Sequence, residues 1–143
     1  MTKKRPWHLW AVGVTALLWN SIGAVDFIMT HTHNADYLKN FSASQLSYFY
    51  ALPAWFVVAW AIAIGFSVLA STLLLLAKKS SAPIFLISLI ALTITNIYSY
   101  GIANGYAVMG GKPSSLILPS AIFIIAVSLY GYATHLNRKG VLA

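Results

Sequence analysis

The chain has 143 residues, of which 59% are hydrophobic and only 8% are charged. An ordinary soluble domain carries about 25% charged residues, so this chain could not cover a water-exposed surface, and lipid is expected to surround most of it. The net charge of +7 does not indicate nucleic-acid binding, because the basic residues form short clusters beside apolar runs. The absence of cysteine excludes disulfides, thiolate metal sites and cysteine nucleophiles.

Four apolar stretches approach or reach the roughly 20 residues that a membrane-spanning helix needs. None of them contains lysine or arginine. The predicted fold is an all-α membrane protein, in which one domain forms a four-transmembrane-helix bundle with antiparallel neighbours. The predicted spans are residues 7–29, 52–77, 83–104 and 116–135, and an outer loop covers residues 30–51.

The first span has a second interpretation, as a signal peptide. The basic start, the apolar run 9–18 and the small-residue segment 22–24 fit a cleavable leader. Cleavage would leave three spans. Trp19, Asn20 and the apolar continuation to Met29 favour a retained helix.

The lysines and arginines predict the orientation of the bundle. Cytoplasmic loops are enriched in these residues, and four spans place both termini on one side. The sequence therefore predicts a multi-pass protein of the bacterial inner membrane with cytoplasmic N- and C-termini. Seven basic residues fall on the predicted inner side (Lys3, Lys4, Arg5, Lys78, Lys79, Arg138, Lys139) and two on the outer side (Lys39, Lys112).

The outer loop contains a helix-start signal. Ser42 and Gln45 form an S-x-x-Q capping box, so the second helix is expected to begin near Ala43 and to enter the membrane at Pro53 with a kink. Tyrosines near the outer ends are interpreted as an interfacial belt. They are Tyr37, Tyr48, Tyr50 and Tyr106.

A polar cluster is expected near the outer boundary. At about 1.5 Å per residue, Asp26 lies roughly 25 Å along a hydrocarbon core about 30 Å thick. Asn96 and Tyr100 reach a similar height on the antiparallel third span. We expect Tyr100 to donate to Asp26 and Asn20 to bond Asn96. Such a cluster either ties the first and third spans together or binds a solute or proton. The third interpretation of Asp26 is an exposed carboxylate at the end of a helix.

A metal site is a weaker alternative. His31, His33 and Asp36 follow the first span closely and offer the nitrogen and oxygen ligands that zinc accepts. The other two histidines lie at the opposite side of the bilayer. The remaining interpretation of this segment is a solvated loop at the exit of a helix.

Three stretches resemble a family of small four-helix inner-membrane proteins of proteobacteria, often labelled "sugar transporter". They are LLWNSIGAVDFIMT (residues 17–30), YFYALPAWFVVAWAIAI (48–64) and LLLLAKKSSAPIFLISL (73–89). The pattern L-W-N-x-x-G-x-x-D, at residues 18–26, is the most specific part. The resemblance covers roughly residues 9–100 and implies a four-helix membrane bundle. It brings no site residues.

Three functions remain open from the sequence. The first is an accessory or structural membrane protein that packs against a partner or a second copy of itself. The second is a transport-type protein that binds or conducts a small polar solute as an oligomer, and the third is a metal binder on the periplasmic side. The lipid bilayer is the expected partner. No enzyme activity or cofactor is expected, because the chain has no glutamate, no paired carboxylates and no phosphate-binding loop.

Overall fold

The computed structural model describes residues 4–108 and 110–143. Within these ranges the chain is helical and contains no strand. The 3-10 turn Pro113–Leu116 leads into the last helix, and a π-helical segment, Tyr98–Ile102, continues the fifth. The α-helices are α1 (Trp7–His31), α2 (Ala35–Leu38), α3 (Ala43–Tyr50), α4 (Ala54–Leu75), α5 (Ser81–Ile97), α6 (Gly105–Val108) and α7 (Ile117–Arg138).

Four helical stretches are long and apolar enough to cross a membrane, which confirms the prediction of a multi-pass membrane protein. They are Trp7–His31, Ala54–Leu75, Ser81–Ile102 and Pro113–Arg138. Their bounds differ from the predicted spans by no more than three residues at any end. The 3-10 turn Pro113–Leu116 at the start of the fourth stretch was not expected.

The segment before the second span differs from the expected kinked helix. The capping box is present, because the Ser42 side chain accepts from the Gln45 backbone and the Gln45 side chain accepts from the Ser42 backbone. However, α3 ends at Tyr50 and a new helix begins after Pro53. Proline has no N–H to continue a helix, and it disfavours helical geometry in the preceding residue.

The four long helices form a row in which α1 packs on α4, α4 on α5, and α5 on α7. The described start of the chain, at Arg5, and its last residue, Ala143, both contact the segment between α4 and α5 or the end of α4. The Arg5 guanidinium donates to Leu76 O (3.4 Å), Lys79 N donates to Ala143 O (3.0 Å), and Ala143 N donates to Ala77 O (2.8 Å). We call this the terminal end of the bundle. The opposite end, which carries α2, α3 and α6, is the loop end.

The main core lies at the terminal end. There Gly13 lets α1 approach α4 closely, because a Cβ at this position would come within 2.5 Å of the Leu75 side chain. Small residues at helix contacts are typical of membrane bundles. The core cluster comprises Leu9, Ala16, Ala70, Leu74, Ala77, Ala82, Phe85, Leu129, Ala133, Leu136, Val141 and Leu142.

The polar contact of α1 is made with α4 and not with the third span. The Asn20 amide donates to Ser71 Oγ (2.9 Å) and to Ser67 O (3.4 Å). The expected bond from Asn20 to Asn96 is not formed among the described residues. The position of each residue along the bundle axis can be predicted from the rise of a helix. The rise does not predict which helices are neighbours in the bundle.

Candidate binding cavity

A cavity of about 530 Å³ occupies the loop-end half of the bundle. All four long helices contribute to its wall, together with residues from α2 and α3. It extends from the loop end to the core at the terminal end, which it meets at Phe85 and Leu129. Its volume falls within the roughly 300–1,000 Å³ that is typical of small-molecule sites.

The four residues of the predicted polar cluster all line this cavity. Asn20 and Asp26 belong to α1, Asn96 to α5, and Tyr100 to the π-helical segment. The sequence predicted similar positions for these four residues along the bundle axis, and in the structure they line one cavity. Direct contacts between them, as expected from the sequence, are not formed among the described residues.

The partner of Asp26 is Tyr37. The Tyr37 hydroxyl on α2 donates to Asp26 Oδ1, in the role that was expected for Tyr100. This hydrogen bond, burial and the nearby carboxylate raise the pKa of Tyr37 to about 12. Tyr37 is therefore a neutral donor at ordinary pH and gives the Asp26 carboxyl a hydrogen bond but no opposite charge.

Two polar groups on the opposite wall have no such partner. The Asn96 amide and the Tyr100 hydroxyl are half-buried and make no hydrogen bond within the described ranges 4–108 and 110–143. Polar groups inside proteins are nearly always hydrogen-bonded, so an unpaired one points to water or a ligand. These two groups therefore remain available to a molecule in the cavity.

A second tyrosine, Tyr48, contributes to the cavity wall at the loop end. The hydroxyls of Tyr48 on α3 and Ser99 form a hydrogen bond of 2.6 Å. Gly105 at the start of α6 allows this arrangement, since a Cβ there would lie 2.8 Å from Ser99 O and 3.1 Å from the Tyr48 hydroxyl oxygen. Both Tyr37 and Tyr48, interpreted from sequence as interfacial residues, instead contribute to the cavity wall.

A second space lies beside the cavity, between α1 and α7. A groove of about 360 Å³ runs between these helices and shares Trp19, Ile125 and Leu129 with the cavity. The hydroxyl of Tyr132 hydrogen-bonds to His8 Nδ1 (2.5 Å) at the terminal end. The groove therefore adjoins the cavity at the three shared residues.

Comparison with protein-family models, curated proteins and solved structures found no match. The functional argument therefore comes from the chain's own chemistry. The resemblance to four-helix proteobacterial proteins stays an expectation from the sequence.

The histidines near the loop end have separate partners. His31 Nδ1 donates to Phe27 O (2.9 Å), and its ring lies 5.1 Å from that of Trp60. His33, in a left-handed conformation (φ 55°), stacks on Tyr50 at 4.3 Å. The structure does not bring His31, His33 and Asp36 together: among the residues it describes, no group of three or more His, Asp or Glu could hold a metal ion.

Sequence reasoning missed the cavity-lining role of Tyr37 and Tyr48. Their types and positions fit an interfacial belt equally well. Only the return of α2 and α3 over the cavity distinguishes the two roles, and that return depends on the short turns around residues 32–34 and 51–53. The capping box predicted α3 but not the direction in which it points.

Proposed function

We propose that this chain is an integral membrane protein that binds a small molecule in the loop-end cavity, as the binding step of a transport-type function. The observation that carries the proposal is that the cavity reaches Asp26. A polar residue in a spanning helix is costly, and it is retained mainly where it serves a site or a partner. A closed contact around Asp26 would have favoured a purely structural role.

The wall chemistry supports binding. Most of the wall is apolar or aromatic, and a few polar groups face the interior, which is the usual composition of a small-molecule site. The unpaired Asn96 and Tyr100 groups line the same cavity as Asp26 and belong to the third span, whereas Asp26 belongs to α1. They offer a donor and acceptor set that fixes the orientation of a bound molecule.

We further propose the inner membrane as its location, with both termini in the cytoplasm. The described basic residues at the terminal end support this orientation under the positive-inside rule. The cavity then opens in the outer half of the bilayer. An accessory role without a ligand is the competing function, and the following experiment separates the two.

The test substitutes a cavity-lining glycine by a large residue whose side chain occupies part of the cavity. Gly23 lines the cavity, and a Cβ there would meet no atom within 4 Å. A phenylalanine at this position is therefore accommodated only by occupying the open space. We expect the wild-type protein, purified in mild detergent, to carry a small-molecule adduct in native mass spectra, and Gly23→Phe to lose it.

Gly65→Phe is the matched control. Gly65 is an exposed helical glycine with equally open surroundings, but it does not line the cavity. The adduct should persist in this variant. A wild-type protein without any adduct, or equal adduct occupancy in the two variants, would contradict the binding function and favour the accessory role.

A further inference from the structure

The ionisable groups of the described cavity wall that are charged near neutral pH are acidic, with no basic side chain among them. Among the described residues that line it, Asp26 is the only carboxylate, and none is lysine, arginine or histidine. The second acidic residue of the chain, Asp36, is exposed on α2 and outside the cavity. The wall therefore attracts a positive charge and disfavours a phosphate or carboxylate.

The Asp26 carboxylate lacks an ionic partner. Its hydrogen bond comes from a neutral hydroxyl, that of Tyr37, and the described part of the chain gives it no ion pair. Charged groups inside membrane proteins are normally paired, because lipid does not solvate them. A cation in the cavity would supply the missing partner.

Aromatic rings form much of the remaining wall. The faces of such rings attract cations, tryptophan most strongly, and more so where water is excluded. Trp60 is held in place within this group by edge contacts to Phe27 (5.2 Å) and Phe56 (6.3 Å). The cavity-lining rings include those of Trp19, Tyr48, Phe49, Phe56, Trp60 and Tyr100.

The groove between α1 and α7 indicates the apolar part of the ligand. Its lining residues are apolar apart from Thr15, and α7 contributes only apolar side chains to the cavity itself. A molecule that partitions into the bilayer could enter by this route. A strongly hydrated ion would have to leave its water first.

We propose, on the basis of the binding function above, that the cavity takes lipophilic cations. These are molecules with an amine, quaternary ammonium or phosphonium centre on an apolar body. Asp26 is the counter-charge, the aromatic rings surround the cationic centre, and the apolar body extends toward α7.

The test uses two ions of the same shape and opposite charge, tetraphenylphosphonium and tetraphenylborate. Binding to the full-length protein in a non-ionic detergent is measured by isothermal titration calorimetry, with protein-free detergent as the blank. We expect tetraphenylphosphonium to bind the wild type and tetraphenylborate not to bind. Asp26→Asn should weaken tetraphenylphosphonium binding by about tenfold or more, since removing one partner of a desolvated charge pair is costly.

Two further variants control for structure and charge position. Asp26→Asn keeps an oxygen that accepts from Tyr37, so its fold is checked by circular dichroism and gel filtration, and Asp26→Glu should retain binding. Asp36→Asn removes the other carboxylate of the chain and should bind like the wild type. Equal phosphonium binding by Asp26→Asn, tighter borate binding, or no phosphonium binding by the wild type would overturn the cation proposal. An adduct lost in Gly23→Phe would still support the cavity as a site.

Discussion

The hydrogen bond from Tyr37 to Asp26 connects a loop to a membrane-spanning helix. It holds α2 over the cavity and uses one carboxylate oxygen of Asp26. The bond requires the protonated phenol, because a phenolate beside a carboxylate would repel it. The attachment of α2 therefore depends on pH in the alkaline range, where Tyr37 titrates.

We expect this attachment to be complete below pH 10 and to be lost as the pH rises through about 12. The direction follows from the pKa of Tyr37, which is raised from the ordinary value of 10.0 to about 12 in the folded protein. The difference in alkaline absorbance between the wild type and Tyr37→Phe gives this titration. Asp26→Leu should return the pKa of Tyr37 toward 10, whereas Asp36→Leu should not. An unshifted Tyr37 in the wild type would contradict the bond.

At the residue scale, the sequence predicted the position of a polar residue along its helix better than it predicted which residues that side chain contacts. The rise of an α-helix is fixed, so the heights of Asn20, Asp26, Asn96 and Tyr100 could be compared from their positions in the chain alone. Their partners could not be predicted in this way, because the same heights are compatible with several lateral orders of helices. The placement of α1 beside α4 made Ser71 the partner of Asn20.

The short helix α6 approaches the end of the third span closely. Gly105 permits this contact, and the hydroxyl pair of Tyr48 and Ser99 lies directly against it. The nearest atom to an added Cβ is the backbone oxygen of Ser99, which cannot rotate away as a side chain could. The closure of the loop end thus depends on the absence of a side chain at position 105.

We expect Gly105→Ala to destabilise the folded protein by about 1–3 kcal/mol, because the new methyl group overpacks this contact. Thermal unfolding in detergent measures the loss, and faster amide hydrogen exchange in α3 should accompany it. Gly101→Ala is the matched control, since a Cβ there meets no atom within 4 Å. Equal stability of the two variants would show that α6 tolerates displacement.

At the element scale, helix starts were predictable and the interruptions were only partly so. Ser42 and Gln45 carry a local hydrogen-bonding pattern that fixes the start of α3. Pro53 signalled a disturbance, but its separation of two helices depends on how α3 packs. The π-helical segment Tyr98–Ile102 has no comparable sequence signal, and it is marked by a hydrogen bond between residues five apart, from Ala103 N to Tyr98 O (2.8 Å).

For the molecule as a whole, the terminal end is the better-packed half. The C-terminal residues Val141 and Leu142 fold back into its core, and Leu142 is 1% exposed. Backbone bonds from Ala143 to Ala77 and Lys79 hold this segment against the α4–α5 turn. The segment closes the core where the four long helices converge.

We expect Leu142→Ala to reduce the free energy of unfolding by about 2–3 kcal/mol, because the substitution leaves a cavity in a packed core. Leu69→Ala, on the exposed face of α4 (45% exposed), should change it by less than about 0.5 kcal/mol. Thermal unfolding in the same detergent compares the two variants. A similar loss in both would mean that the C-terminal segment is not part of the core.

The hydrogen bond between His8 and Tyr132 has a mechanical consequence. It joins α1 and α7 at the terminal end, beside the groove that α1 borders between Ala11 and Trp19 and α7 borders at Ile125 and Leu129. From Tyr132 to Leu118, α7 is a lever about 21 Å long. Tilting it by about 5° around that pivot would move its far end by about 2 Å, so a small rotation of α7 near Tyr132 would change its distance from the other helices at the loop end.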